Sequence, residues 1–368
     1  MKVKVLFLIL AIIFSSSIVF AEEYVESIVE KGIIIEADEP HNKEGLYEGV
    51  LVQNLKVRIT SGKYKNQVLD IENHLSDNPA YDILPKKGDR VIVMIEEVDG
   101  EIEAYVTDFQ RSNYILYLAI FFILIILLIG RIKGLKAIIS LALTILSVFY
   151  ILLPRILKGA DPMPISILVA VGVTIITILL VSGLNYKSIT AILGTSLGVI
   201  IAGLISYYIG HKAHLTGLSS EEATMLMYIP QNIDFNFKNL LFSGIILGAL
   251  GAVMDVGMSI ASSIEEIHLV NPNLSTKELF KSGMNVGKDI MGTMTNTLIL
   301  AYTGSSIPML LLFMAYDISM VEIMNLDIIA TEAVRSLAGS IGLVLTIPIT
   351  AAIGSILIMK QNKREKGD

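Results

Sequence analysis

Apolar residues run in long blocks along most of this chain, and in one region only they alternate with polar ones. Between residues 22 and 112 the segments 24–37, 46–60, 66–71, 88–97 and 101–109 are rich in Val and Ile and are separated by Gly, Asp, Asn and Pro clusters. That is the pattern of short strands with one buried face, and it predicts five of them. The sequence Val98-Asp99-Gly100-Glu101 reads as a hairpin connection, because Asp-Gly accepts the positive φ of a tight turn. About 90 residues in five strands fit a small β-barrel of the OB or SH3-like kind. Such barrels serve unrelated functions, and no stripe of basic and aromatic residues points to nucleic acid.

From Tyr114 onward apolar stretches recur near 115–130, 137–153, 164–182, 189–209, 240–262, 291–313 and 335–358. Each is long enough for a membrane-spanning helix, which needs roughly 17 to 25 residues, so about seven spans are expected. Residues 1–21 have the layout of a secretory signal: Lys2 and Lys4, an apolar run from Val5, then small residues ending at Ala21. Cleavage after Ala21 and retention as an N-terminal anchor both fit that layout. The domain plan is therefore a signal at 1–21, a β domain at 22–112, a helical bundle at 113–360 and a basic tail at 361–368.

Loop charge orients the bundle independently, since cytoplasmic loops keep the excess of Lys and Arg. With the β domain outside, the inner loops and tail hold 11 Lys and Arg, and the outer loops hold five: Arg155, Lys158, Lys212, Lys238 and Arg335. The signal and the loop charge agree on a cell-membrane protein with an extracytoplasmic β domain and a cytoplasmic C-terminus.

Composition narrows the chemistry. The chain is 53% hydrophobic and 17% charged, with mean hydropathy +0.67, whereas soluble domains keep about a quarter of their residues charged. Without cysteine it has no disulfide, thiol nucleophile or cysteine metal site. Residues 22–112 carry 10 Lys and Arg against 20 Asp and Glu, so the β domain holds −10 of the net −7 and the remainder +3. An acidic outer domain disfavours nucleic acid and anionic lipid as its partners. No GxxxxGK[ST] loop is present, and His211-Lys212-Ala213-His214 lacks the glutamate of a zinc-protease HExxH. No Ser-His or Glu-His set falls at one membrane depth. Neither an enzyme nor a cofactor is expected.

Asp255, in GALGAVMDVGMSIASSIEEI, is the one ionisable residue well inside an apolar stretch. A carboxylate there costs about 2.5 to 3.5 kcal/mol on insertion scales and commonly marks an ion or proton path. At helical spacing Ser259, Ser262 or Ser263, and Glu266 share its side. Glu265 and Glu266 sit near the helix end, where a solvated role suffices. The next stretch, MGTMTNTLILAYTG, supplies Thr293, Asn296 and Thr297 as donors for that carboxylate or for a cation. Between the two, the segment 276–281 reads as a short interfacial helix capped by Ser275 or Thr276. The plainer role for these polar residues is fixing helix register. Gly194 and Gly198, Gly244 and Gly248, and Ala338 and Gly342 are small pairs spaced by four, expected to pack the bundle.

The segments LGALGAVMDVGMSIASSIEEI and NVGKDIMGTMTNTLILAYTGSSIP resemble the YibE/F family of bacterial membrane proteins. The resemblance covers most of the chain. It implies a polytopic fold and a membrane location, with a second membrane protein of the same kind as a partner, and it carries over no activity. The order of a helix with a central Asp, an inner segment, a hydroxyl-rich helix and a last span also resembles half of a SecF or RND-type transporter. Asp255 matches that pattern's acidic position, while the extra spans and the preceding β domain depart from it. The expectation is a secondary transporter or permease in which Asp255, Ser259, Glu266, Thr293, Asn296 and Thr297 serve a proton or cation. The alternative is a non-transporting envelope accessory protein whose β domain binds a partner.

Overall fold

The computed structural model describes residues 27–42, 51–76, 78–98, 101–230 and 233–365. The signal segment expected over 1–21 lies outside them. The chain forms two compact units, the first ending at Ile125 and the second beginning at Ile126.

The first unit contains an antiparallel sheet of β1 (Ile28–Ala37), β2 (His41–Asn42), β3 (Leu51–Ile59), β4 (Val68–Leu75), β5 (Arg90–Val98) and β6 (Glu101–Phe109). The five longer strands start in or overlap the five segments that the alternation marks, β4 running four residues past its segment to Leu75. Their hydrogen-bonded order is β4-β3-β1-β5-β6, with β2 on the start of β3. On β3, Leu55, Val57 and Ile59 are buried between Lys56 and Arg58; on β5, Val91, Val93 and Ile95 do the same. Period-two burial of this kind gives one core face. β5 pairs with β6 as far as Val98↔Glu101, which leaves two residues for the connection, as the Asp-Gly signal requires. The described pairing gives a sheet whose end strands, β4 and β6, approach each other without a hydrogen-bonded ladder among the described residues.

Two buried polar groups hold its loops. Glu30 accepts hydrogen bonds from Ser61 Oγ (2.5 Å) and Lys63 N (3.1 Å), fixing the turn in which Gly62 has φ +62°. Gln53 donates to the carbonyls of Asp38 and Pro85, and Asn73 donates to Gln53 Oε1 and the Ile83 carbonyl.

Helix α1 (Ser112–Ser147) runs through a π-helical turn (Val148–Leu152) into α2 (Leu153–Ile156). It is broken at Arg131, with φ 47° and ψ −122°. The break is sharp enough that Gly134 abuts the Ile126 carbonyl. Then follow α3 (Pro162–Ser182), α4 (Tyr186–Lys212), α5 (Glu221–Met225), α6 (Phe237–Val270), α7 (Thr276–Ser305), α8 (Ile307–Ala315), α9 (Met320–Asn325) and α10 (Asp327–Glu365). Side-chain caps start most of them: Asp161 on α3, Asn185 on α4, Asn236 on α6 and Ser275 on α7. The last is a reciprocal capping box with Glu278. Among the described residues five helices are long and apolar enough to cross a membrane, or six if α7 and α8, bent by 59°, count as one broken span. The outward side chains of α1, such as Tyr114, Leu118 and Ile129, are large, apolar and exposed, a surface that suits lipid.

Two expectations change here. The short surface helix expected at 276–281 is the beginning of α7. No breaker follows it, and Gly283 and Gly287 let the helix continue against Ile264 and Ile260 of α6 and Ala351 and Ile347 of α10. The last apolar stretch, expected near 335–358, belongs to a helix that begins earlier: α10 starts at Asp327 and takes Glu332 and Arg335 into its first turns. Asp327 accepts from Thr216 N and Oγ1, tying that end of α10 to the chain after α4.

The core of this unit is built by α4, α6, α7 and α10. Gly194 and Gly198 of α4 lie against Thr350 and Thr346 of α10, and Gly342 lies against Ala202 and the Gly198 carbonyl. Gly203 and Gly210 of α4 take the side chains of Ile246 and Phe242 from α6. These contacts make α6 and α10 parallel to each other and antiparallel to α4 and α7. Phe242, Ile245, Ile246, Ile260, Ile264, Leu279 and Leu343 fill the interior. The small pairs at 194/198 and 338/342 therefore pack helices as expected. The pair at 244/248 does not: Gly244 faces open space and Gly248 meets only the Tyr302 hydroxyl.

Candidate functional site

Helix α6 is amphipathic in an inverted sense. Its packed side carries Phe242, Ile245, Ala249, Val253, Val256, Ile260 and Ile264. Its exposed side carries Gly244, Gly248, Gly251, Asp255, Ser259 and Glu266, and its large exposed apolar residues, Leu269 and Val270, come only at the helix end. Spacing of three and four residues puts these on one stripe. Asp255 lies near the middle of it and has no hydrogen bond or ion pair to any described residue.

The neighbouring helix sets the level of the stripe. Gly283 lies beside Ile264, Gly287 beside Ile260, and Tyr302 beside Gly248. Interpolating between these contacts puts Asp255 opposite Thr293. The sequence therefore brings the carboxylate and the hydroxyl-rich stretch to one depth. It does not bring them into contact: Thr293 Oγ1 donates to the Ile290 carbonyl and Thr297 Oγ1 to the Thr293 carbonyl, each at 2.9 Å. Both hydroxyls are spent on their own helix, the usual use of Thr in a helix interior. Asn296 is exposed on α7. Along α6 itself, Ser263 Oγ donates to the Ser259 carbonyl at 2.8 Å, and Glu266 is exposed near the helix end.

Glu265, expected at a solvated helix end, instead pairs with Lys187 Nζ of α4 at 2.8 Å, with side chains 27% and 19% exposed. This cross-link closes the Val270 end of α6 onto the start of α4. The HxxH histidines do not meet over a ligand. His211 packs on Tyr207 and Phe242, with its Nδ1 2.8 Å from the Tyr207 carbonyl.

One group escapes the sequence reading. Tyr302 puts its hydroxyl 2.7 Å from where a Cβ on Gly248 would stand, and it lies within electrostatic reach of Arg335 and Glu332. Those two are paired at 3.4 Å on α10 with side chains 31% and 26% exposed, and Arg335 Nε is buried without a partner. The i,i+3 spacing of Glu332 and Arg335 was the available signal. Drawing the last span from residue 335 left both in a loop.

Family models match nearly the whole chain: the YibE/F family N-terminal domain over residues 25–109 and the YibE/F-like protein over residues 118–360. Comparison with curated proteins and with solved structures gives no match.

Proposed function

Since this chain belongs to the YibE/F family and is membrane-embedded, we propose that it is a secondary transporter or permease that moves a proton or cation past Asp255. The observation that carries this is the exposed side of α6. A lipid-facing surface is apolar, as on α1, whereas this one is Gly, Ser and Asp through its middle. An ionisable residue at that depth is retained where it faces water or a partner. A wet groove with a central carboxylate is the simplest structure that satisfies the stripe. Ser259 and Glu266 extend it toward the Val270 end, and Thr293, Asn296 and Thr297 stand at the depth of Asp255 on α7.

In this reading the chain crosses the membrane seven times. The 45 residues of α1 to α2 extend about 67 Å as helix, more than twice the roughly 30 Å hydrocarbon core. The Arg131 break splits them into two spans, and α7 with α8 forms one broken span. The β domain is extracytoplasmic and the C-terminus cytoplasmic. Because the chain has no cysteine, single introduced cysteines report sidedness cleanly. An impermeant maleimide is expected to label Tyr81→Cys in spheroplasts with intact membranes and Leu269→Cys only after permeabilisation. The opposite pattern would reverse the orientation.

The transport reading predicts ion flux in proteoliposomes that Asp255→Asn abolishes while folding and insertion are unchanged. Equal flux in the two proteins removes Asp255 from the path. A second reading rests on Gly244, Gly248 and Gly251: a bare glycine face lets another helix approach closely. On that reading the chain is a non-transporting accessory protein, the stripe docks a second membrane protein of the family, and the β domain binds an envelope partner. Copurification of such a partner, lost on Gly251→Leu and indifferent to Asp255→Asn, would favour it.

A further inference from the structure

Two features of the helical unit bear on which ion the stripe suits. The first is the backbone around Asp255. Membrane sites for dehydrated cations draw oxygen ligands from helices that are broken at the site, since unwound carbonyls are free to bind. Helix α6 is continuous from Phe237 to Val270, so the carbonyls around Asp255 are committed to its own ladder. The break between α7 and α8 falls at Ser306, 13 residues past Thr293 and so well away from the level of Asp255. Among the described residues no three His, Asp or Glu side chains converge to hold a metal ion. A proton needs no such cage, only a titratable oxygen and a chain of polar groups.

The second feature is where the titratable groups fall. Tyr302 lies over Gly248, seven residues or about 10 Å of helix rise from Asp255, within electrostatic reach of the Glu332–Arg335 pair. On the other side Glu266 is eleven residues away, about 16 Å. The stripe from Gly248 to Glu266 thus extends about 27 Å, close to the thickness of the hydrocarbon core. Lys288 and Asp289 of α7 stand at the depth of Ser259 to Ser262, and the Lys187–Glu265 pair closes the Val270 end from α4. Asp255 is the acid at the middle of the α6 stripe, Asp289 of α7 stands about one turn nearer the Val270 end, and further acids lie at both ends.

We infer that the ion carried past Asp255 is a proton, and that Glu332 and Tyr302, braced by Arg335, form a second station of its path at the Phe237 end of α6. This rests on the transport reading above. Each hop makes one O–H bond and breaks another. A proton leaves the Glu332 carboxyl, passes through water ordered by the Tyr302 hydroxyl, and turns the Asp255 carboxylate into a neutral acid. Release toward Ser259 and Glu266 restores the carboxylate. Arg335 balances the charge on Glu332 once the proton has left, and Gly248 and Gly251 leave room for the water.

The test is flux in proteoliposomes of the full chain under separate, equal gradients of protons, sodium and potassium. Wild type is compared with Asp255→Asn, Glu332→Gln and Tyr302→Phe, each checked for a single folded peak and an unchanged melting temperature. Proton flux only is expected. It should be lost in Asp255→Asn and reduced about tenfold or more in Glu332→Gln and in Tyr302→Phe, the scale of losing a positioned proton-transfer group. Sodium or potassium flux that depends on Asp255 would keep the transport reading and overturn the proton. Proton flux that depends on Asp255 but survives intact in both other variants would overturn the second station. Absence of any Asp255-dependent flux would sink the transport reading and this inference with it.

Discussion

Leucine at Gly198 is expected to prevent α4 from docking on α10, and with it the folding of the helical unit. A side chain there would meet Thr346 Oγ1, the Val253 side chain and the Gly342 carbonyl at once. The first contact is a short β-branched side chain and the last is backbone, so neither can swing away. Overpacking a core costs about 1 to 3 kcal/mol where side chains can adjust, and more where backbones must part. The effect spreads, because Gly342 leans on the Gly198 carbonyl and on Ala202 in return. Gly244→Leu is the matched control: the same sequence motif, but with nothing within 4 Å of the added Cβ. Fluorescence size-exclusion chromatography and thermal melting in detergent should show Gly198→Leu aggregated or strongly destabilised and Gly244→Leu as wild type. A normal melt for Gly198→Leu would mean that α4 and α10 do not pack as described.

Asn239→Leu should also destabilise the helical unit, through a lost tether rather than a clash. Asp161 caps α3 by accepting from Met163 N at 3.1 Å, and both its oxygens lie 2.9 Å from Asn239 Nδ2 on α6. Asn239 is buried there, with its own helix begun by Asn236 Oδ1 accepting from its backbone N–H. Leucine fills the volume and removes the donor, while Asp161, itself exposed, keeps water as a partial replacement. A hydrogen bond to a charged group contributes about 1.5 to 3 kcal/mol, and the access of water to Asp161 puts the expected loss at the lower end of that range. Asp161→Asn should cost less, because Asn still caps a helix. Melting temperatures of Asn239→Leu, Asp161→Asn and the double variant check this. Loss in Asp161→Asn equal to that in Asn239→Leu would show that the cap, not the α3–α6 tether, is what matters.

These two sites mark the boundary of what could be read in advance. The strands were legible because half-burial imposes a period of two, and Leu55, Val57 and Ile59 display it without any knowledge of their partners. That β5 and β6 would pair as neighbours was legible because the Asp-Gly between them in sequence is a local hairpin signal. The Ser275 cap was legible for the same reason, its Glu278 partner being three residues away. The long apolar stretches follow from the length that a bilayer requires.

The candidate site was legible only in part. Asp255 stands out because a lone acid in an apolar run is costly wherever the run ends up. Its side of the helix followed from spacing, and the contacts between α6 and α7 set Thr293 level with it. That their hydroxyls turn back to their own carbonyls depends on rotamers that spacing does not fix. Glu265 illustrates the general limit, since whether it meets water or Lys187 depends on how α4 and α6 cross. Gly194/198 and Gly244/248 illustrate it again: one motif is packed and the other open, and no local feature tells them apart.

The sequence by itself determined the two-part plan, the strands, the caps, the apolar helices and the outlying carboxylate, because each is set by interactions within a few residues or by contact with one solvent. Only the tertiary structure decided the break at Arg131, the joining of the 276–281 segment to α7, the Lys187–Glu265 bridge and the place of Tyr302 within electrostatic reach of Glu332 and Arg335. Each of those depends on which helices lie side by side, and the partners are from three to about 80 residues apart along the chain.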